Sequence, residues 1–352
     1  MPLTQGDITV HLGPRERGGP DDLLEPIIRF IGQARRRQNL MIAVQEIDDP
    51  RIAEAIIAAR LRGVTIDLVV EQSYLLAGKK PASLADAFVA GGKHEINRTL
   101  FNAILRSTTD IKVDFNPKIF HQKFMVLGNR VLTGSTNFTT TGVSKNLNHV
   151  VFVDNAAVAR AYKAEFAEIR RGHFGKESIA HGDAPNEVTV SGMRVKPLFA
   201  PDHAPEMEIM KQILKARERV DFAAFTFAQS SGIDDALIAA HRNGIRVSGV
   251  LDKRQANQTW AAKHTLQDAG VDIKVAGGRG LGKLHHKLIT IDDQLSIFGS
   301  FNYTEPANKS NDENILIVGD LDEDNRDACR KQGKIARAAR DEIDRIVRDF
   351  AD

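Results

Sequence analysis

Residues 284–318 carry Leu284-His285-His286-Lys287, then Asp292, then Gly299-Ser300-Phe301-Asn302, then Asn311-Asp312-Glu313-Asn314. The spacing is H-x-K-x4-D-x6-G-S-x-N with a trailing N-x-E-N. A weaker copy lies near the middle of the chain: His121-Gln122-Lys123, Gly134-Ser135-Thr136-Asn137 and Asn146-Leu147-Asn148. The residues around His285 alternate and are rich in Leu, Ile and Thr, which predicts a strand. Side chains on a strand repeat every second residue, so His285 and Lys287 face the same way. Residues 291–295 read as a hairpin corner. The returning strand ends at Gly299-Ser300, and is expected to bring Ser300 and Asn302 near His285 and Lys287. In the first copy the corner is Gly128-Asn129, a two-residue hairpin signal with Gly first.

A His, a Lys, an Asn and a Ser converging on one point suit a phosphate. Lysine supplies fixed positive charge to the non-bridging oxygens, Asn and Ser add neutral donors, and Gly lets the backbone approach closely. Two copies would place His121, His285, Lys123, Lys287, Asn137 and Asn302 around one phosphorus, with Ser135 and Ser300 as further phosphate donors and Gly134 and Gly299 as structural members. One histidine can attack in line while the other protonates the leaving oxygen, and the acid and base roles then exchange for hydrolysis. A donor aimed at developing oxyanion charge is typically worth roughly 3–4 kcal/mol in the transition state. Either half of the pattern alone is a surface pair or a turn. Both halves together, twice in one chain, are a specific signal.

These residues resemble the H-K-D motif of the phospholipase D superfamily, whose mark is this motif in two copies. The combination Gly299-Ser300-Phe301-Asn302-Tyr303-Thr304 with Asn311-Asp312-Glu313-Asn314 is similar to the small bacterial endonucleases of that superfamily. Those act as homodimers with one motif per subunit, and this chain resembles such a dimer fused into one polypeptide. The first copy departs from the pattern: Gly128 stands where Asp is expected, the run to Gly134 is one residue shorter, and Asn148 stands where Glu313 stands in the second copy. In the family the Glu holds the histidine ring through its Nδ1 hydrogen and stabilises the phosphohistidine. The resemblance therefore implies Glu313 beside His285, His285 as nucleophile and His121 as acid and base. Asp292 reads as a turn former, so its absence from the first copy does not argue for inactivity.

The chain has 352 residues, 42% hydrophobic and 27% charged, enough for two domains with substantial cores. Its net charge of +2 is too mild to assign a nucleic-acid partner by charge alone. One cysteine, Cys329, excludes a disulfide framework and a cysteine-based zinc site. The first residues show no basic-then-apolar leader, and no run approaches the length of a membrane span. The expected compartment is the cytoplasm.

The halves repeat beyond the motifs. Residues 8–14 and 195–201 each open with a strand. Helices follow with Leu24, Ile27, Ile28 and Ile31 in one half, and Met207, Met210, Ile213 and Leu214 in the other. Strands 40–47 and 220–227 come next, then helices with Ile52, Ala55, Ile56 and Ala59, and with Ile233, Ala236, Leu237 and Ala240. Gly63 and Gly244 end these helices. Strands 64–70 and 245–251, the repeated Asp-Ile-Lys-Val at 110–113 and 272–275, apolar strands 149–153 and 315–318, and helices 156–170 and 324–350 complete each half. The expected fold is α/β, two tandem α/β/α sandwich domains related by a pseudo-twofold, at residues 1–175 and 193–352, with 176–192 as linker. The first half carries an insertion within residues 73–108, with Lys79, Lys80, Lys93, His94 and Arg98, read equally as a substrate-gripping flap or a solvated helical insertion.

Among other residues, His11, His149, His173, His181, His203, His241 and His264 lack motif context and read as structural or surface groups. His286 should face away from the site. Phe120, Phe138, Phe301 and Tyr303 beside the motifs read as core rather than as base-stacking platforms. Gly277-Gly278-Arg279-Gly280 lacks the ending of a phosphate-binding P-loop and reads as a flexible approach, with Arg279 and Lys283 near the mouth. No metal-ligand spacing is evident, and no cofactor is expected. The leading expectation is a metal-independent nuclease acting on DNA or RNA. A phospholipase D or phosphatidyltransferase, and a catalytically weak nucleic-acid scaffold, are the alternatives.

Overall fold

The computed structural model describes residues 2–76, 82–86, 89–178, 184–278 and 280–351. Lys79, Lys80, His181 and Arg279 lie outside these. The first half contains β1 (Leu3–Gln5), β2 (Ile8–Gly13), α1 (Leu24–Gly32), β3 (Asn39–Val44), α2 (Pro50–Leu61), β4 (Thr65–Glu71), α3 (Glu95–Arg106), β5 (Asp110–Asp114), β6 (Lys123–Leu127), β7 (Arg130–Gly134), α4 (Thr140–Ser144), β8 (Asn148–Asp154) and α5 (Ala156–Arg171). The second half contains β9 (Val188–Val190), β10 (Met193–Ala200), α6 (Pro205–Leu214), β11 (Arg219–Ala224), α7 (Ile233–Arg242), β12 (Arg246–Asp252), α8 (Lys253–Ala256), α9 (Lys263–Asp268), β13 (Asp272–Ala276), β14 (Lys287–Ile291), β15 (Leu295–Gly299), α10 (Glu305–Lys309), β16 (Glu313–Val318) and α11 (Arg326–Phe350).

Each half builds one mixed eight-stranded sheet, in the orders β1-β2-β8-β7-β6-β3-β4-β5 and β9-β10-β16-β15-β14-β11-β12-β13. Substituting each strand by its counterpart turns one order into the other, which is the expected repeat in three dimensions. The parallel pairs β3/β4/β5 and β11/β12/β13 are joined through helices, while the motif strands β6/β7 and β14/β15 are antiparallel hairpins. Part of the expected linker, β9, pairs with β10 as an edge strand of the second sheet.

Three cores follow from this layering. One lies under α1 and α2 on the outer face of the first sheet, and one under α6 and α7 on the outer face of the second. The third is shared. There α5 packs on β3, β6, β7 and β8 and also on β10, while α11 packs on β10 to β15 and also on β1 and β2. Buried residues of α5 include Val158, Tyr162, Phe166 and Ile169, at helical spacing. Phe199 of β10 meets Tyr162 edge-on at 5.0 Å, and Tyr162 meets Phe124 of β6 at 5.1 Å. A fully buried Phe contributes roughly 1.5–3 kcal/mol by apolar transfer, so aromatic side chains from both halves stabilise one interface. Phe120, Phe138, Phe301 and Tyr303 are all buried, as the core reading expects.

Candidate active site

The motif strands reach the centre of the molecule and cross between halves. The His121 N–H donates to Asp312 O, and the His285 N–H donates to Leu147 O, both at 2.9 Å. The connection behind each histidine therefore runs alongside the residue that precedes the opposite half's β8 or β16. Gly134 and Gly299 end β7 and β15 with φ of 151° and 142°. A Cβ there would lie 2.3 Å from His149 O and 2.2 Å from Asn314 O, so only glycine lets these strands come so close. Thr139 and Thr304 then cap α4 and α10, accepting from the N–H of Gly142 and Ala307, which fixes the turns holding Asn137 and Asn302.

This crossing overturns one expectation. Glu313 does not hold His285: its Oε2 lies 2.7 Å from Nδ1 of His121, in the other half. His285 Nδ1 instead meets Asn148 Oδ1 at 2.9 Å. Each histidine is oriented by the opposite half, because the side chains that open β8 and β16 project across the pseudo-twofold.

Ser135 and Ser300 need a second correction. Expected as phosphate donors, both are completely buried, and their hydroxyls are already committed. Ser300 Oγ donates to Glu313 Oε2 at 2.6 Å and accepts from the Asn314 N–H. Ser135 Oγ donates to Asn148 Oδ1 at 2.8 Å and accepts from the His149 N–H. They position the groups that orient the histidines.

The remaining residues gather as the motif implies. His121, His285, Asn137 and Asn302 line one cleft of about 260 Å³. Lys123 Nζ donates to His121 O at 2.8 Å, and Lys287 Nζ to His285 O at 2.9 Å. Asp292 stands at the β14/β15 corner with φ of 52°. Its carboxylate accepts from the N–H groups of Arg217, Glu218 and Arg219, away from the cleft. Gly128 takes the matching corner with φ of 59°. Lys283 lines the cleft mouth, with Nζ 5.3 Å from the centre of the Phe225 ring.

Burial governs the titration of the site. It lowers both His121 and His285 well below the usual histidine range, and Lys123 and Lys287 lower them further. Without a bound anion both imidazoles are held toward the neutral form, and each has Nδ1 engaged, with Glu313 or Asn148. Burial also pushes Lys123 down to about 7, opposed by Glu313 and Glu46, and pushes Lys287 well down. Glu313 is pushed up to about 8 by burial, opposed first by Lys123 and then by the Ser300 hydrogen bond. A bound phosphate anion would favour the charged lysines.

His149 and His286 are also less incidental than their sequence context implies. They stack behind the site with Nδ1 atoms 3.0 Å apart. The Gly299 N–H donates to His149 Nε2, so His149 carries its proton on Nδ1 and donates it to His286. His286 then donates from Nε2 to Glu342 at 3.4 Å, and it faces away from the cleft as expected. Gln122 and Asn314 hold the counterpart positions, with Asn314 Nδ2 donating to Gln122 Oε1 at 2.7 Å.

Gln45, Glu46, Tyr74 and Phe225 line the cleft without having been singled out by motif. Glu46 Oε1 accepts from Asn137 Nδ2 at 2.9 Å, and burial pushes its carboxyl up to about 7. A signal existed: polar residues just past the carboxyl end of a buried parallel strand, where α/β folds place their sites. Tyr74 opens the 73–108 insertion. Within that insertion Arg98 pairs with Glu95 rather than facing the cleft.

Two α/β sheets sharing one phosphate-sized cleft, each supplying a His and an Asn to its wall and a buried Lys directly behind the His, define a bilobal H-K-D protein. The family model for the PLD-like domain of cardiolipin synthase matches residues 27–170 and 209–330, and the chain belongs to this branch of the phospholipase D superfamily. It is 34% identical over 131 residues to a phospholipase D of Rickettsia conorii, a match covering 37% of this chain and 64% of that protein. It is 32% identical over 112 residues to a mitochondrial cardiolipin hydrolase of Xenopus laevis, covering 32% of this chain and 52% of that protein. In fold it is similar to phosphatidylserine synthase of Haemophilus influenzae, with a TM-score of 0.66 at 13% identity over 97% of this chain and 88% of that one. Polyphosphate kinase of Porphyromonas gingivalis follows, with a TM-score of 0.59 at 11% identity over 89% of this chain and 48% of that one. Among the described residues no helix is long and apolar enough to cross a membrane.

Proposed function

We propose that the chain hydrolyses phosphodiester bonds through a covalent phosphohistidine on His121, with His285 as acid and base. The observation that carries this is the unequal pair of orienting acceptors: Glu313 on His121 and the neutral Asn148 on His285. Phosphorylating the far nitrogen of an imidazole that keeps its Nδ1 hydrogen makes the ring cationic; that new charge favours ionised Glu313, which burial alone pushes up to about 8, and a carboxylate on that hydrogen stabilises the cation better than an amide oxygen does. In the first step the free nitrogen of His121 gives its lone pair to phosphorus. The bound phosphodiester anion favours the charged form of His285, which takes a proton on Nε2 from solvent as substrate binds; the bond to the leaving oxygen then breaks and His285 delivers that proton to it. In the second step water attacks phosphorus, His285 takes the water proton, and the P–N electron pair returns to His121. Lys123, Lys287, Asn137 and Asn302 hold the equatorial oxygens.

The substrate read from the site is nucleic acid. The cleft is lined largely by polar groups, with a lysine and an aromatic ring at its mouth, a pairing that suits a polyanion with flat bases. A second reading, a phospholipid headgroup, is favoured by the names of the relatives. Three apolar side chains from the 73–108 insertion also support it: Leu76, Leu84 and Val89 are 54%, 80% and 70% exposed. The test incubates purified protein with labelled single-stranded DNA, RNA, and phosphatidylcholine or cardiolipin vesicles, briefly in EDTA, with His121→Asn as blank. Cleavage of nucleic acid supports the first reading, and release of lipid headgroup alone replaces it with the second. Binding of nucleic acid without cleavage of any substrate would leave a scaffold.

A further inference from the structure

We propose that Phe225 and Lys283 form the leaving-group subsite of the cleft, and that it selects a leaving alcohol carrying a phosphate of its own, as the neighbouring nucleotide of a nucleic acid does. This subsite rests on the reading of His121 as nucleophile and His285 as acid. In-line displacement puts the leaving oxygen opposite the attacking nitrogen. The departing alcohol therefore lies on the His285 side, next to the group that protonates it. There the Phe225 ring is 4.8 Å from the His285 ring. Lys283 precedes His285 by two residues, is exposed, and lines the same cleft.

The two ends of the cleft are unlike, although the halves repeat. The Phe225 N–H donates to His286 O and the Gln45 N–H donates to Gln122 O, both at 3.0 Å, so Phe225 and Gln45 are equivalent positions. Two residues before each histidine stand Ile119 and Lys283, and both line the cleft. Apart from the buried lysine that each half keeps behind its histidine, the His121 end holds the Gln45 amide, the Glu46 carboxyl, the Tyr74 phenol and the Ile119 chain. The His285 end holds an aromatic ring and an ammonium group instead. A further anion on the substrate is attracted to the second end, and at the first it meets a carboxyl rather than a cation.

Lys283 is held at the mouth with its charge uncommitted. The centre of the Phe225 ring lies 5.3 Å from Lys283 Nζ and 5.2 Å from Lys287 Nζ, so the ring attracts both cations and positions Lys283. The chain is pinned on either side: the Gly282 N–H donates to Lys145 O at 3.1 Å, and the Leu284 N–H donates to Asp252 Oδ2 at 3.1 Å. Asp252 also accepts from the N–H groups of Arg254 and Gln255, so its carboxylate is spent on backbone. Among the described residues no carboxylate is paired with Lys283.

The experiment measures kcat/KM of the full chain at low salt for the thymidine dinucleotide TpT, its 5′-phosphorylated form and its 3′-phosphorylated form, with products separated to show which nucleoside left. A phosphate on the leaving nucleoside is expected to raise kcat/KM about three- to fivefold, the size of one exposed ion pair, and a phosphate on the retained nucleoside to raise it less. Lys283→Ala should erase the gain and Phe225→Leu should reduce it, while Phe225→Tyr and Lys334→Ala, exposed on α11, keep it. A gain that survives Lys283→Ala overturns the subsite. A Lys283-dependent gain from the retained nucleoside's phosphate overturns its assignment to the leaving group. If only lipid is cut, the nucleic-acid reading fails, and the subsite is decided separately by cardiolipin, whose leaving alcohol bears a phosphate, against phosphatidylglycerol, whose leaving alcohol does not. A preference for cardiolipin that Lys283→Ala removes supports it, and no such preference overturns it. If nothing is cut, hydrolysis fails as the activity, and calorimetry with the three dinucleotides decides. Tighter binding of either phosphorylated form that Lys283→Ala removes supports an anion subsite, and its absence overturns one.

Discussion

Glu313 and Asn148 occupy matching positions in the two halves, yet only Glu313 can carry charge. That one difference makes a symmetric cleft chemically directional. Both side chains receive a serine hydroxyl and an imidazole, so position alone does not distinguish them. Glu313→Gln keeps the shape and removes the charge that stabilises a cationic phosphohistidine. It is expected to lower kcat at least ~100-fold, about 2.7 kcal/mol of transition-state stabilisation. Asn148→Ala should cost less, about tenfold. Rapid quenching into alkaline detergent with a labelled phosphodiester should map the adduct to His121, and an adduct on His285 would reverse the roles. A pH prediction follows from Lys123. Burial depresses it to about 7, so in the free protein it is charged below that pH and neutral above it. Since kcat/KM reports the free enzyme, loss of the Lys123 charge should lower kcat/KM for an anionic phosphodiester as pH rises through about 7; ionisation of Glu313, pushed up to about 8, acts in the opposite sense, so the Lys123 limb is read in the Glu313→Gln variant. A bound phosphate favours the ammonium form, so kcat should fall only at higher pH. Parallel kcat and kcat/KM profiles would remove Lys123 from phosphate binding.

At the scale of the element, the two hairpins explain why the motif's aspartate is dispensable in one copy. Asp292 satisfies three N–H groups where the chain enters β11 and adopts positive φ at the β14/β15 corner, while Gly128 adopts positive φ without a side chain. Asp292→Ala removes a charged acceptor and strains the corner, a loss of roughly 1–3 kcal/mol. The expected outcome is a lower Tm with kcat within twofold of the parent. A large loss of kcat with unchanged Tm would move Asp292 into the chemistry. This local level was the most legible in the sequence: alternation gave the motif strands, 3.6-residue spacing gave α2 and α7, and Gly63 and Gly244 lie just beyond them with positive φ. What lay across from each element was not legible. A buried strand pattern says that a face is covered but not by which partner, so the crossing of Glu313 to His121 was hidden. Likewise Glu165 and Glu168 fall on the apolar stripe of α5, and sequence alone does not show which helical carboxylates are buried until the opposing strand, β10, is in place.

The whole molecule is a single-chain pseudo-dimer whose site belongs to neither half alone. Separating the halves would expose the shared core around Tyr162, Phe199 and Ile343, and would strip each histidine of its orienting acceptor. Residues 1–178 and 184–352 expressed separately should therefore be inactive as monomers and regain activity when mixed. The crossed geometry makes a sharper prediction for self-association. A homodimer of the second half would pair each His285 with Glu313 of the other copy, restoring a carboxylate on both histidines. A homodimer of the first half would pair each His121 with Asn148, a neutral acceptor. If the carboxylate is what makes a histidine the nucleophile, the 184–352 dimer should show measurable phosphodiesterase turnover and trap phosphate on His285. The 1–178 dimer should show little, and Asn148→Asp should raise it. Size-exclusion chromatography followed by assay of the dimer peaks checks this directly, and equal activity in the two dimers would show that the Glu313–His121 pair does not set the direction of catalysis.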